Sequence, residues 1–412
     1  MKEKKQKKVK IIILALLISL FIFPGRVPAQ PELSSEAALL MDMENGQLLY
    51  SKNAGQMMYP ASTTKILTAL VVIKNSNLED RVKVSLNAAS VGGSHVGLQE
   101  GEILRLADLL YILLLSSGND AATALAEHTG GSVEHFAQMM NDQARALGAV
   151  NSNFTNPHGL HNPDHYTTAG DLAIIAREAM KNPVFRKIAG TYHFNTERTL
   201  PKAVKGIPQV DFVNHNKLMR PGYSLAFEGV TGVKTGYTDE AGQCLVASAQ
   251  RDGRELLTVV LKSGSPGVYV DTVALLNHGF SDFSPVLLTG AGAAEGTATV
   301  KRGTEISVSA VTSRQFYFNL PAGGDHNIQK KASIDPSLSA PVKKGQKIGT
   351  LSFLNQEEVI GSVDLIADRN VDEKPFFVWW YGLSVPLILI FFAWNRARAR
   401  RRRYLMRKKR WP

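Results

Sequence analysis

A chain of 412 residues with ordinary aromatic and charged content is long enough to bury a large core and has room for two domains plus appendages. Its net charge of +11 would suit a nucleic-acid surface if it were spread over the fold, but residues 1–10 hold six Lys against one Glu and residues 395–412 hold ten Lys or Arg, so the stretch between is slightly acidic. The basic character belongs to the tails, which argues against nucleic acid as a partner, and a single cysteine, Cys244, rules out an internal disulfide.

The first lysines precede an apolar run of 13 residues from Ile11 to Phe23, then Val27-Pro28-Ala29. A positive flank, a short apolar core and a small residue predict a secretory signal peptide over 1–29, cleaved after Ala29. The chain is therefore expected to be exported. Asn45-Gly46 between two apolar-rich runs predicts a hairpin. Pro60 then opens a helical pattern through Ile66, Leu67, Leu70 and Ile73, which places Ser62 in a first turn and brings Lys65 round to the same side three residues on. That pairs a hydroxyl with an amine able to take its proton, and free first-turn N–H groups suit a developing oxyanion.

Alone, such an S-x-x-K pattern arises readily by chance, and a capped helix with a surface lysine is the plainer reading of it. Residues 78–105 read as short strands and loops, and 106–189 as mainly helical, with Ser132 capping one helix and Gly148 ending it. Within that region Ser117-Gly118-Asn119 falls on a turn between two helical patterns. His158, His161, Asp164 and His165 are good metal ligands by type, but their spacing fits no standard zinc pattern and Pro and Gly around them mark a loop. No metal or other cofactor is expected. Strand patterns return at 230–238, 244–250 and 255–262, with Lys234-Thr235-Gly236 on the first; Cys244 reads as a small buried hydrophobe on the second. A helix near 268–278 ends the catalytic part.

From Gly290 the composition shifts to short alternating strands over 290–370, read as a small β-sandwich that spaces the catalytic part from a membrane. Pro375 to Trp394 is a run of 20 residues without a charge, just enough to cross a hydrocarbon core of about 30 Å. Trp379, Trp380 and Tyr381 suit the outer interface, and the basic tail over 395–412 suits the cytoplasmic side. A single-pass membrane protein with its catalytic domain outside is the expectation.

S-x-x-K, then S-x-N, then K-T-G, in that order, is the signature set of penicillin-recognising serine enzymes. Gly92-Gly93-Ser94, Ser116 to Ala121, Phe154 to Leu160, His165 to Ala169 and Gly232 to Thr238 together resemble, more narrowly, the low-molecular-weight penicillin-binding proteins that act as D-alanyl-D-alanine carboxypeptidases, serine peptidase family S11. The resemblance is dense over 33–280 and implies an α+β fold. An antiparallel sheet flanked by helices, like that of β-lactamases and transpeptidases, would fill 30–284, with the β-rich domain and the membrane helix after it.

The resemblance also implies the chemistry. The substrate would be a peptidoglycan stem peptide ending in D-Ala-D-Ala, with β-lactam antibiotics as covalent ligands. Ser62 would attack and Lys65 act as base, its pKa lowered by burial and by Lys234. Lys234 and Thr235 would hold the terminal carboxylate, with Gly236 on the same strand. Ser117 would relay a proton between Lys65, Lys234 and the leaving nitrogen, and Asn119 would hold the side of the peptide. Backbone N–H groups of Ser62 and Tyr237 would form the oxyanion hole. Two other functions stay open: a β-lactamase, against which the lack of a recognisable deacylating glutamate weighs, and a membrane-bound muropeptide or β-lactam sensor without turnover, against which retention of all three motifs weighs. Oligomeric state is not legible.

Overall fold

The computed structural model describes residues 30–198, 200–201, 208–323, 327–355, 357–375 and 377–408. The signal-peptide expectation lies outside them. Two compact units emerge, one of residues up to Pro285 with Asn319–Gly324, the other of Val286–Phe318 with Asp325 onward.

In the first unit the strands are β1 (Ala37–Asp42), β2 (Leu48–Lys52), the short β3 to β6 (Arg81–Lys83, Ile103–Arg105, His193–Asn195, Asp211–Val213), β7 (Val230–Thr238), β8 (Gly242–Arg251) and β9 (Arg254–Ser263). The helices are α1 (Lys65–Asn75), α2 (Leu86–Ser90), α3 (Leu106–Leu115), α4 (Asn119–Gly130), α5 (Val133–Leu147), α6 (Ala169–Lys181), α7 (Pro183–Ala189) and α8 (Gly267–Asp282). One five-stranded antiparallel sheet runs in the order β2-β1-β9-β8-β7, so the two strands before the helices and the three after them do join, as expected. The central strands are buried on both faces, and period 2 sends their side chains to separate cores. Ala37, Leu39, Met41, Leu257 and Val259 pack with Ile66, Leu67 and Leu70 of α1. Ala38, Leu40, Leu256 and Val260 pack with Leu275 and Leu276 of α8 on the opposite side.

Local signals place several ends where the sequence put them. Ser132 Oγ accepts the His135 N–H at the start of α5, and Gly148 closes it with φ +89°. The helix α2, within a stretch read as strands and loops, was not expected; Ser85 Oγ caps it by accepting the Ala88 N–H, and only Ala88 is buried, so it has no apolar stripe to read. β7 is an edge strand, which leaves alternate backbone groups on its outer side without a partner strand.

The second unit is β-rich; β10 (Phe283–Thr289) and β13 (Phe316–Pro321) lie outside its main sheet. Its six-stranded sheet has the order β14 (Ile328–Ile334), β16 (Lys347–Asn355), β17 (Glu358–Ala367), β12 (Ser307–Thr312), β11 (Ala294–Lys301), β15 (Ser337–Ser339), around Val308, Leu351, Phe353 and Leu365. β14 and β15 lie outside the runs the sequence reads as strands (297–300, 305–311, 316–318, 346–353 and 359–366): they are the two edges, and β14 exposes most of its residues, so it lacks the alternation that reveals a half-buried strand.

The last helix, α9 (Phe377–Lys408), covers residues 377–394 of the run read as bilayer-spanning. Among the described residues no helix is long and apolar enough to cross a membrane. The side chains of 377–381, Trp379, Trp380 and Tyr381 included, lie outside the described ones, and from 382 only 14 residues precede the first arginine, Arg396, against about 20 for a crossing.

Candidate active site

The site is assembled where the edge strand β7 passes the start of α1. Residues Ala61–Thr64 form one 3₁₀ turn and not the first turn of an α-helix, as expected for Ser62. The hydroxyls of Thr63 and Thr64 donate back to Pro60 O and Ala61 O at 2.6 and 2.8 Å and tighten the turn, while Ala61 takes φ +47°. Gly236 of β7 lies so close that a Cβ there would come within 3.0 Å of Ser62 N and of Pro60 O. Gly236 thus sets β7 against the Ser62 N–H, while the side chain of the next residue, Tyr237, is exposed and its hydroxyl donates to Asp239 at 2.8 Å.

Lys65 is fully buried. Its Nζ lies 3.0 Å from Ser62 Oγ and donates to Asn119 Oδ1 and to His158 O, each at 2.7 Å. The last two atoms can only accept. They take up two hydrogens, so in the neutral amine the lone pair falls towards the one neighbour that can donate, the Ser62 hydroxyl. The Asn119 amide cannot turn over without loss, because its Nδ2 donates to Gly92 O at 2.7 Å. Burial, and next the charge of Lys234, hold the Lys65 ammonium well below the usual lysine range, against a smaller opposing pull from Asp120.

Lys234 is buried too, and burial brings its pKa down to about 7. Its Nζ donates to Thr235 O at 3.0 Å. The hydroxyl of Ser117 is buried without a hydrogen-bond partner among the described residues, at φ +61°. The expected bridge from Ser117 to Lys65 and Lys234 is therefore not made here. A buried hydroxyl left open in this way is costly and needs a reason.

Several contributors have roles that the sequence did not assign to them. His158 lends its backbone carbonyl to Lys65, while its ring, brought to about 3 by burial and then by Lys65, stays neutral. His165 Nε2 faces Thr64 Oγ1 at 2.9 Å and its Nδ1 accepts from Thr155 N, so this ring braces the nucleophile turn. Asp120 accepts the N–H groups of Val96, Leu98 and Ala121 and pins the 92–98 loop to α4. His215 is neutral, brought to about 4 by burial and then by Lys234 and Lys65. In the sequence His158 and His165 read only as ligand types in a loop and as part of the resemblance, and Asp120 only as part of the resemblance around S-x-N; nothing there points to His215.

The 92–102 loop is held from the far side by a fully buried ion pair, Arg198 Nε to Glu102 at 2.8 Å, with Arg198 also donating to the carbonyls of Val96 and Gly97. Breaking such a pair strands a buried carboxylate. Arg198→Ala is expected to destabilise the protein by about 3–5 kcal/mol, read as a lowered denaturation midpoint, and an unchanged midpoint would mean that Glu102 finds water.

A lysine-activated serine at a helix start, a helix-turn serine and asparagine opposite, and K-T-G on an edge strand define a serine acyl-transfer enzyme of the penicillin-recognising class. A family model described as D-alanyl-D-alanine carboxypeptidase matches residues 25–265, and one described as penicillin-binding protein 5, C-terminal domain, matches residues 283–373. The chain is 33% identical to D-alanyl-D-alanine carboxypeptidase DacF of Bacillus subtilis over 84% of its length and 89% of the relative's. It is 33% identical to the Escherichia coli carboxypeptidase DacC, over 85% and 90%. Penicillin-binding protein 5 of Haemophilus influenzae superposes with a TM-score of 0.73 at 30% identity, over 84% of this chain and all of that one. The chain belongs to the D-alanyl-D-alanine carboxypeptidase family of serine peptidases.

Proposed function

We propose that this protein removes the terminal D-alanine from peptidoglycan stem pentapeptides through an acyl-enzyme on Ser62, and that penicillin acylates the same serine. The observation that carries this reading is the Lys65 amine, 3.0 Å from Ser62 Oγ with its other contacts on two acceptor-only oxygens. Neutral Lys65 takes the Ser62 proton as Oγ attacks the penultimate carbonyl. The N–H groups of Ser62 and Tyr237 receive the oxyanion. The proton passes through the unpartnered Ser117 hydroxyl to the leaving amine, and D-alanine departs. Water then repeats the attack on the ester, with Lys65 again as base. Lys234, with Thr235 and Gly236 on the same strand, holds the terminal carboxylate. Asn119, whose amide is committed to Lys65 and Gly92, orients the base and offers its remaining hydrogen to the peptide. D-Ala release from a stem-pentapeptide mimic, with fluorescent penicillin labelling in parallel, tests the reading; labelling without release would favour a sensor.

The pH dependence of kcat/KM follows from the two lysines. Lys65 must lose its proton to act as base, so the rate climbs with pH. Lys234 must keep its proton to hold a carboxylate, so it falls as pH passes about 7. These limbs belong to the coupled pair. On an amide-capped substrate the descending limb is expected to vanish, and a descending limb of equal depth on both substrates would count against Lys234 as the carboxylate partner.

In the same reading 1–29 is a cleaved export signal, 30–284 the catalytic domain and 290–370 a spacer. The uncharged run 375–394 anchors the chain in a membrane with 395–412 on the cytoplasmic side, supported by the ten basic residues that would be costly to move through lipid. Alkaline carbonate should leave the full-length protein in the membrane; its release would favour a helix lying on the surface.

A further inference from the structure

The β1–β2 hairpin is tied to α6 by Arg177, whose Nε and Nη2 donate to Met43 O and Glu44 O at 2.7 and 2.6 Å. Between hairpin and helix lies a cavity of about 640 Å³, lined by no residue of the candidate active site. Leu39 and Met41 of β1 and Ile174 of α6 give it apolar walls. Leu48 and Gly55, both exposed, also line it, so it opens to solvent.

The charged side chains that line the cavity all come from α6. Glu178 and Lys181 are paired at 3.0 Å and cancel one another. Asp171 and Arg177 are left, and neither is in an ion pair among the described residues. The Arg177 guanidinium rests on carbonyls alone, and its Nη1, without an acceptor among the described residues, lies beside Gly46, where a Cβ would come within 3.0 Å of it. Asp171 is 5% exposed, and only its Oδ2 is bonded, by Asn151 N and Ser152 Oγ at 2.7 Å each. Its Oδ1 is therefore an open acceptor on a buried carboxylate, which is costly until something donates to it. From Asp171 to Arg177 the helix rises about 9 Å, and an arginine side chain leans back towards the helix start, which shortens the gap between the charges. Two residues of extended peptide span about 7 Å. An open anion and an open cation with apolar walls between them complement a net-neutral molecule that carries an ammonium at one end and a carboxylate at the other. A fatty anion would bring its tail against Asp171, and a diamine its second cation against Arg177.

We propose that this cavity is a binding site for a zwitterionic dipeptide, its ammonium on Asp171 Oδ1 and its carboxylate on Arg177. The test is calorimetric titration of the full-length protein with leucyl-alanine, with its N-acetyl form and with its C-terminal amide. The uncapped dipeptide is expected to bind, and each cap to weaken it by about fivefold at low salt, the upper scale for an exposed ion pair, and by less at high salt. Arg177→Gln should bring the free acid and the amide to equal affinity, with penicillin labelling as the check that the variant is folded. The comparison of caps on the unaltered protein decides the proposal even where that variant does not fold. Excess penicillin should leave the affinity for leucyl-alanine unchanged, and loss of binding on its addition would put the dipeptide at Ser62 and overturn the site. No binding of the uncapped dipeptide, equal binding of its capped forms, or a free-acid preference that persists in folded Arg177→Gln overturns it as well.

Discussion

Ser62→Ala is expected to abolish penicillin labelling and to lower D-Ala release by about 10⁶-fold, the scale on which loss of a catalytic serine acts. Among the described residues Ser62 has the only hydroxyl hydrogen-bonded to the buried amine of Lys65, while Thr64 Oγ1 is committed to Ala61 O and His165, and Thr68 Oγ1 to Pro157 O. Lys65→Ala should reduce acylation by about 10²–10⁴-fold while the protein still folds. Two acceptors, Asn119 Oδ1 and His158 O, lose a donor and the buried stem leaves a cavity, while removal of a buried amine offsets part of that cost. Labelling by fluorescent penicillin, followed by mapping of the modified peptide, checks both variants. Label recovered on a different serine in Ser62→Ala would remove Ser62 as the nucleophile, and near-normal acylation of Lys65→Ala would place the base elsewhere.

Gly159→Ala should be nearly as damaging, although residue 159 touches no substrate in this scheme. The residue has φ +86°, and a Cβ there would lie 1.9 Å from Ala61 O and 2.8 Å from Thr64 Oγ1. The two nearest atoms are Ala61 backbone, and the third, Thr64 Oγ1, is held by Ala61 O and His165. The added methyl must push the Ser62 turn, the His158 carbonyl, or both away from Lys65, and a displacement of about 1 Å at a reacting group costs on the order of 10²-fold. Acylation should fall by at least about that factor. Gly55→Ala, where nothing lies within 4 Å, is the control and should be near neutral. Wild-type acylation of Gly159→Ala would mean that the 157–160 loop can retreat without disturbing the turn.

The three motifs, the hairpin, the caps of α5 and the five main strands were legible because each is a local pattern: a spacing of three on a helix, an Asn-Gly turn, an N-cap serine, a run of β-branched residues. The same locality explains the misses. Edge strands such as β14 carry no alternation, and α2 carries no stripe. Sequence also placed Ser62 and Lys65 together, since one turn of chain suffices to do so. It could not show that Lys65 has three neighbours, because Asn119 and His158 reach it from 54 and 93 residues away. Nor could it show that the third of these is a backbone carbonyl, which carries no residue identity to read. The Ser117 hydroxyl, expected as a bridge, stands without a partner, and the Asn119 amide is committed to Lys65 and Gly92. What the sequence determined by itself is the inventory, a serine, two lysines and the order in which they occur, since residue type sets which atoms can donate, accept or titrate. What the tertiary structure decided is which of those atoms are dry and which way they face. Burial lowers both lysines, and two fixed carbonyl oxygens turn the lone pair of one towards Ser62; both follow from packing between elements distant in the chain.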